Sequence, residues 1–162
     1  MDPAPPVYAA LDALGISYER HEHPPVFNAE DASAIWDPIP GVQCKNLFLR
    51  NKKGDRHYLV ILEISKRADL KDLVKVVGDD RLSFGSPERL MAKLGLTPGS
   101  VSPFGLINNV DGSVRVIIDA DLKGKDRLIL HPNINTASVV VSWDDLERFL
   151  KTRENTVRLV SL

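Results

Sequence analysis

The feature that most constrains the fold is an unbroken apolar run, Tyr58-Leu59-Val60-Ile61-Leu62. A strand with one face in water alternates apolar and polar side chains, so a continuous run predicts a central strand covered on both faces. The apolar-rich segment from Cys44 to Arg50 comes just before it, and the turn-forming residues 51–55 join the two. This spacing predicts a pair of neighbouring strands.

Patterns of apolar residues and of helix-capping and turn-forming residues predict further helices and strands on either side of this pair. Helix signals occupy residues 4–15, 28–36, 69–77, 86–94 and 143–152. Further strand-like runs occupy residues 18–23, 81–84, 105–107, 115–119, 126–130, 137–141 and 156–162. No repeat, low-complexity tract or linker interrupts them. The sequence therefore predicts one α+β domain over residues 1–162, with a mixed central sheet of about seven strands flanked by helices.

Composition narrows the class of protein. The chain of 162 residues is 43% hydrophobic and 27% charged, which is typical of a globular domain. No apolar run reaches membrane-spanning length, and no basic signal-peptide region accompanies the acidic start. The single cysteine, Cys44, excludes an internal disulfide and fits a reducing compartment. We therefore expect a cytoplasmic protein that does not contact a membrane.

The charge is unevenly distributed along the chain. Residues 1–44 carry one basic and seven acidic side chains, whereas residues 45–93 carry twelve basic and seven acidic ones. Residues 94–162 carry eight of each. The surplus in the middle segment is enough for a local surface that faces phosphates. A mixed, solvated surface is the alternative interpretation.

A glycine- and proline-rich stretch, Gly95 to Gly105, is the first candidate for an active site. It follows a helix that Ser86 is suited to begin and Gly95 is suited to end. Pro98 and Pro103 exclude a continued helix. Glycines let backbone N–H groups approach a ligand closely, and such loops bind carbonyl oxygens or anions. The alternative is a plain connection between two elements.

Two other kinds of site are weaker. His21 and His23 share a strand face, but no third ligand lies at a metal-binding spacing, so we expect no metal. Cys44 is a conceivable nucleophile because the neighbouring Lys45 would lower its pKa, although a lone cysteine entering an apolar strand is usually a small buried hydrophobe. Neither a Gly-x-Ser-x-Gly elbow nor a His-Glu-x-x-His helix is present. We expect no cofactor.

Lys45, the pentapeptide Gly99-Ser100-Val101-Ser102-Pro103 and His131-Pro132-Asn133 follow one another in this order. In this the chain resembles the editing-domain superfamily of bacterial prolyl-tRNA synthetase, also called YbaK-like. Within it, the sequence is most similar to the freestanding trans-editing branch known as ProXp-ala or PrdX. The resemblance covers essentially the whole chain. It implies hydrolysis of mischarged tRNA, typically alanine esterified to proline tRNA.

The resemblance also implies roles for particular residues. The catalytic set would be Lys45, Gly99, Ser100, Val101, Ser102 and Pro103. Lys45 would hold the phosphate or ribose of the terminal adenosine, while backbone N–H groups of the pentapeptide would hold the ester carbonyl. Substrate binding would involve Asn46, His131, Asn133 and Asn135, with His131 shaping a small amino-acid pocket. Contacts to tRNA phosphates would come from Lys45, Arg50, Lys66, Arg67 and Lys71.

Some questions stay open at the level of the sequence. The same fold could remove another amino acid, such as cysteine, or could be a non-catalytic module that binds tRNA or a synthetase. The chain carries no synthetase catalytic or anticodon-binding module. It would therefore find mischarged proline tRNA through its own surface or through a partner, such as prolyl-tRNA synthetase or an elongation factor. No protein base is evident, which is compatible with a tRNA ribose hydroxyl orienting the water.

Overall fold

The structure is a computed structural model, and it describes residues 2–25, 34–35 and 38–162. The α-helices that lie wholly within these ranges are α1 (Ala4–Ala13), α2 (Leu70–Val77), α3 (Pro87–Leu94) and α4 (Trp143–Lys151). Two 3-10 helices span Pro103–Asn108 and Ala120–Leu122. The helix predicted over residues 28–36 falls largely outside the described residues. No described helix has the length and apolarity needed to cross a membrane.

One mixed sheet contains all the strands described. They are β1 (Glu19–Glu22), β2 (Val42–Arg50), β3 (His57–Glu63), β4 (Ser83–Phe84), β5 (Val114–Asp119), β6 (Leu128–Leu130), β7 (Ala137–Val141) and β8 (Val157–Val160). Their order is β1-β7-β6-β2-β3-β5-β8, with β4 pairing to β2. The α+β class and the mixed sheet flanked by helices are confirmed, and the sheet has eight strands rather than about seven.

The central position of the apolar run is confirmed. β3 lies between β2 and β5, pairing antiparallel with the first and parallel with the second. Leu59 and Ile61 pack with α1, α3 and α4 on one face, whereas Tyr58, Val60 and Leu62 pack with α2 on the other. Because both faces are covered by helices, every position of the run is buried, as an unbroken apolar strand requires.

The helix that precedes the glycine-rich stretch begins and ends where the sequence predicts. The Ser86 side chain accepts a hydrogen bond from the backbone N–H of Arg89, which satisfies one of the free donors at the start of α3. Gly95 ends the helix with a φ of +66°, a left-handed conformation that glycine adopts without strain. The glycine-rich stretch therefore leaves the helix at a fixed angle.

One predicted element is wrong. Residues 105–107 were expected to form a strand, but they belong to the 3-10 helix Pro103–Asn108. The Ser102 hydroxyl accepts from the N–H of Phe104, and Pro103 stands in the first turn of this helix. A capping serine followed by proline favours a helical turn, and this local signal outweighs the apolar character of Leu106 and Ile107.

The pairing of β2 leaves an opening in the sheet. On the edge away from β3, β6 pairs in parallel with Val42 and Gln43, and β4 pairs with Leu49 and Arg50. No described strand pairs with residues 44–48 along this edge. The segment that follows β6 begins beside this gap with His131. Ser102 of the glycine-rich stretch donates a hydrogen bond to the His131 carbonyl, which brings the two segments together.

Candidate active site

The glycine loop, residues 95–102, connects α3 to the 3-10 helix. Within it, the N–H of Ser100 donates to the carbonyl of Thr97 at 3.1 Å, forming a tight turn. Gly99 inside this turn has a φ of +89°, a conformation that side chains other than glycine's rarely adopt. The requirement for glycine at this position therefore comes from the backbone itself.

Several backbone donors of this loop are free. Among the described residues, no carbonyl or side-chain oxygen accepts a hydrogen bond from the N–H of Gly99, Val101 or Ser102. Most backbone N–H groups in folded proteins are paired, so several unpaired donors within one short rigid loop form a place where an oxygen can bind. A carbonyl oxygen that gains negative charge fits such donors.

A buried serine ties the glycine loop to the segment after β6. The Ser102 hydroxyl donates to the carbonyl of His131 at 2.6 Å and accepts from the N–H of Phe104 at 3.1 Å. On the other side of the loop, a Cβ placed on Gly99 would lie 4.0 Å from Nδ2 of Asn135. The structure therefore brings together the pentapeptide at 99–103 and the segment at 131–135.

The His131 ring is largely enclosed. Its Nδ1 donates to the carbonyl of Ala137 at 3.3 Å, which fixes the orientation of the ring. Burial lowers the pKa of His131 below its ordinary value, and the nearby His23 lowers it further. The ring is therefore neutral at pH 7, and it contributes shape and polarity rather than a positive charge.

Two asparagines carry buried polar atoms that are unsatisfied among the described residues. Asn133 is 2% exposed, and neither its side-chain nitrogen nor its side-chain oxygen has a partner among the described residues. Its φ of +66° makes it the one non-glycine residue of the described ranges in a left-handed conformation. Oδ1 of Asn46, on β2, is likewise buried and unpartnered. Unsatisfied buried amides combined with backbone strain are features of functional sites.

Lys45 lies on β2 beside the opening in the sheet. The parallel register pairs Gln43 with Ile129. If this register is continued by two residues, Lys45 comes level with His131. The side chain is half-buried, and it forms no ion pair with any residue that the structure describes. A cation without a counter-charge among the described residues, beside the opening in the sheet, favours a negatively charged ligand.

The structure excludes the thiol alternative. Cys44 is 3% exposed, and burial raises the pKa of its thiol to about 12. A reactive cysteine needs a lowered pKa, so the hypothesis that Lys45 activates Cys44 is wrong. As for metals, the described residues contain no group of three or more histidine, cysteine, aspartate or glutamate side chains that could hold an ion.

The other cations expected to contact phosphates lie in different surroundings. Nζ of Lys66 forms ion pairs with Asp119 at 2.8 Å and with Asp121 at 2.5 Å, so its charge is already neutralised. The guanidinium of Arg50 donates to the carbonyls of residues 51 and 52. Arg67 and Lys71 are exposed, with Lys71 on the outer side of α2.

Sequence reasoning missed a polar pair next to His131. Nδ1 of His23 donates to the carbonyl of Pro24, and its Nε2 forms a hydrogen bond with the Ser138 hydroxyl at 2.8 Å. Ser138 is buried on β7, directly after the bend that contains Asn133 and Asn135. Its position within an otherwise apolar strand was the available signal, since an isolated hydroxyl there needs a partner.

Comparison with known proteins agrees with this geometry. Residues 23–149 match the family described as the aminoacyl-tRNA editing domain. The chain is 42% identical over 162 residues to the prolyl-tRNA editing protein ProX of Acetoanaerobium sticklandii, covering 100% of this chain and 99% of the relative. It is 32% identical over 145 residues to prolyl-tRNA synthetase associated domain-containing protein 1 of Bos taurus, covering 87% and 84% of the two chains.

A solved structure gives the same fold. The crystal structure of a candidate trans-editing enzyme for prolyl-tRNA synthetase matches with a TM-score of 0.76 and 21% identity, covering 100% of this chain and 97% of the other. At this identity the likeness concerns the fold alone. It agrees with the mixed sheet and its order of elements.

Proposed function

The chain belongs to the family of aminoacyl-tRNA editing domains, among the prolyl-tRNA editing proteins, and from that premise we propose that it is a trans-editing deacylase. Its substrate in this proposal is alanine esterified to proline tRNA. The reaction is hydrolysis of the ester, which releases free alanine and intact tRNA. The setting is the cytoplasm, where tRNA is charged and used.

The observation that carries the proposal is the contact between the glycine loop and the segment 131–135. Ser102 holds the loop against the His131 carbonyl at 2.6 Å, and the N–H groups of Gly99, Val101 and Ser102 have no acceptor among the residues that the structure describes. Donors held in place before the substrate arrives stabilise a developing oxyanion without reorganisation. An ester carbonyl bound there would be polarised by the loop and bordered by Asn133 and His131.

The chemistry needs little from the protein beyond positioning. An aminoacyl ester is already activated, so the site must orient a water molecule and stabilise the tetrahedral intermediate. Two side chains that could act as nucleophiles near the site are unsuitable. Cys44 has a raised thiol pKa, and Ser102 is buried with its hydroxyl donated to His131. We therefore infer that a ribose hydroxyl of the tRNA orients the water.

Selection of alanine over proline follows from size. A synthetase pocket made for proline cannot exclude the smaller alanine, because one methylene in an apolar pocket discriminates by only about 1–3 kcal/mol. A second pocket that admits alanine and excludes proline supplies the missing discrimination. His131, with its ring oriented by Ala137, would form part of the wall of this second pocket.

The tRNA would be held by phosphate contacts around the site. Lys45 would bind the terminal nucleotide in this proposal, which is supported by its position beside the opening in the sheet and by the absence of an ion pair with a described residue. Exposed Arg67 and Lys71 would add contacts at a distance. Lys66 would contribute less than its charge suggests, since two carboxylates already bind it.

A deacylation panel tests the proposal. Proline tRNA charged with alanine, cysteine, serine or proline is incubated with the protein, and the release of free amino acid is measured. We expect rapid loss of alanine, no faster loss of proline than in buffer, and a severe loss of activity in Lys45→Ala. Preferential release of cysteine would reassign the substrate, and no release from any of them would leave a binding module.

A further inference from the structure

The bend that joins β6 to β7, residues 131–136, is anchored at its two ends. At the first end, the Ser102 hydroxyl donates to the carbonyl of His131 at 2.6 Å. At the second end, the backbone N–H of His23 donates to the carbonyl of Thr136 at 3.0 Å. The residues between these anchors form no hydrogen bond with any other described residue. The shape of the bend therefore depends on where its two ends are fixed.

His23 binds the second end again through its ring. Its Nδ1 donates to the carbonyl of Pro24 at 2.8 Å, and its Nε2 forms a hydrogen bond with the Ser138 hydroxyl at 2.8 Å. The register of the two strands places His21, not His23, opposite Ser138, so this bond crosses the β1–β7 pair diagonally. Ser138 is fully buried, so its side chain holds the ring at a fixed point of β7.

The two contacts of His23 lie on either side of Ala137. One is to the carbonyl of Thr136, and the other is to the side chain of Ser138. The carbonyl of Ala137, between them, accepts the hydrogen bond from Nδ1 of His131 at 3.3 Å. His23 also lies close enough to lower the pKa of His131. The residue that orients the His131 ring is thus held in place from both sides by His23.

The wall of the proposed amino-acid pocket needs this support. At 3.3 Å the bond from the His131 ring to the Ala137 carbonyl is long, so by itself it orients the ring only weakly. A pocket that selects by size excludes the larger ligand only while its wall stays in place. The side chains of such sites have to be held to within about 0.5 Å by their neighbours. A displaced Ala137 carbonyl would move the wall.

We propose that His23 is a positioning residue for the selection of the amino acid. Through Thr136 and Ser138 it fixes the bend, and through the bend it fixes the His131 ring that keeps proline out of the pocket. The inference rests on the proposed function, because it takes the aminoacyl ester of tRNA as the ligand of this pocket. His23 acts through the bend and does not itself contact the ester.

The test compares two substitutions that separate the two ring nitrogens of His23. The amide of asparagine reaches the position of Nδ1, so His23→Asn can keep the bond to Pro24 but loses the bond to Ser138. The longer side chain of glutamine reaches the position of Nε2, so His23→Gln can keep the bond to Ser138. Both variants keep the backbone bond to Thr136.

The measurement is the rate of deacylation of proline tRNA charged with alanine or with proline. We expect His23→Asn to keep its rate on the alanyl ester within about tenfold and to hydrolyse the prolyl ester at least about tenfold faster than buffer does. His23→Gln should behave like the wild type, which does not accelerate loss of proline. A merely destabilised protein loses rate on both esters, so a gain on the prolyl ester identifies a displaced wall.

His21→Asn is the matched control, two positions earlier on β1. Nε2 of His21 bonds to Glu19 at 3.1 Å, within its own strand, so its loss should leave the bend and the selection unchanged. If His23→Asn still failed to hydrolyse the prolyl ester, or if the control hydrolysed it equally, the role of His23 would be overturned. A wild type that releases neither amino acid would instead overturn the proposed function.

Ser138→Ala tests the same bond from the other strand, should a variant of His23 fail to fold. Alanine fits the buried place of the serine, and we expect the same gain on the prolyl ester. The double variant His23→Asn, Ser138→Ala should gain no more than the larger single gain, because both changes remove one bond. Gains that multiply in the double variant, or the absence of any gain in Ser138→Ala, would overturn the proposal.

Discussion

Two regions on either side of the glycine loop differ in whether the side-chain amide of a buried asparagine is hydrogen-bonded. Beside the end of α3, Asn109 donates to the carbonyl of Lys93 at 3.1 Å and accepts from the N–H of Val114 at 3.0 Å and from Nδ2 of Asn155 at 2.9 Å. Across the loop, Asn133 is equally buried, but both polar atoms of its side chain lack a partner among the described residues.

The difference separates scaffold from site. An unpaired buried amide costs about 1–3 kcal/mol, so a chain that leaves one open must gain from it when a ligand binds. The bonded region fixes the start of the glycine loop, because Asn108 and Asn109 bind the carbonyls of Leu94 and Lys93 at the end of α3. The open region borders the free amides of the loop. The first holds the second in place.

The largest effect is expected at the open region, from Gly99→Val. Gly99 has a φ of +89° and its Cβ position is nearly unobstructed, so the valine would be opposed by the backbone conformation rather than by a clash. The loop would change shape and its free amides would move. Loss of one oxyanion donor costs about 10²–10³ in rate, and we expect a decrease of at least this size in single-turnover deacylation of alanyl-tRNA.

Gly124→Val is the matched control for this variant. Gly124 has a φ of +78° and also has open space at its Cβ position, but it lies in the turn between β5 and β6. It should lose a similar amount of stability while keeping its deacylation rate. If both variants lost activity equally, the effect of Gly99→Val would be one of stability, and the comparison between scaffold and site would fail.

The next effect concerns the bonded region. Asn109→Ala would leave the Lys93 carbonyl and the Val114 N–H without a partner in a buried place, and the amide nitrogen of Asn155 would lose one of its two acceptors. We expect a decrease in the free energy of unfolding of about 3 kcal/mol, or roughly 10 °C in Tm, measured by urea and thermal unfolding. The folded variant should keep kcat within about threefold, because none of these groups lies among the free donors of the loop.

Asn133→Gly is expected to have the reverse outcome to Asn109→Ala, with activity reduced and stability kept. Glycine keeps the left-handed conformation at φ +66° without strain and removes only the unpaired amide. We expect deacylation to fall about tenfold, which corresponds to about 1.4 kcal/mol of transition-state stabilisation, while Tm stays the same or rises. A normal rate together with a lower Tm would show that the amide of Asn133 belongs to the scaffold.

The fold was predictable where local signals and burial agree. The run from Tyr58 to Leu62 predicted a covered central strand, and Ser86 with Gly95 predicted the ends of α3, since both signals act through neighbouring residues. Residues 105–107 were predicted wrongly, because the capping hydroxyl of Ser102 decides that segment and its partner, the His131 carbonyl, is distant in sequence. Long-range hydrogen bonds leave no periodic pattern.

The candidate site was predictable in part. Its loop and the segment 131–135 were singled out from residue types, and the structure places them in contact. The roles assigned to individual residues remain predictions. The unsatisfied state of Asn133, the link through Ser102 and the pairing of His23 with Ser138 could not be predicted, because each depends on the register of strands that meet only in the folded sheet.

The smallest effect extends the comparison to two buried histidines, His131 at the site and His57 in the scaffold. The pKa of His57 is lowered to about 4 from an ordinary value near 6.5, chiefly by burial, so between these values the unfolded chain binds a proton that the folded chain does not. Stability that is present at pH 7 is therefore lost as pH falls below about 6.5. Gln at this position cannot titrate, but it can still accept from Arg89, as Nε2 of His57 does. His57→Gln should accordingly lose about 1 kcal/mol less than the wild type between pH 7.5 and pH 5 in urea unfolding, while the pH dependence of deacylation, which is set at the site around His131, should not change. A wild type and variant that lose stability in parallel would show that His57 is protonated as easily in the folded chain as in the unfolded chain, and burial would then not lower its pKa.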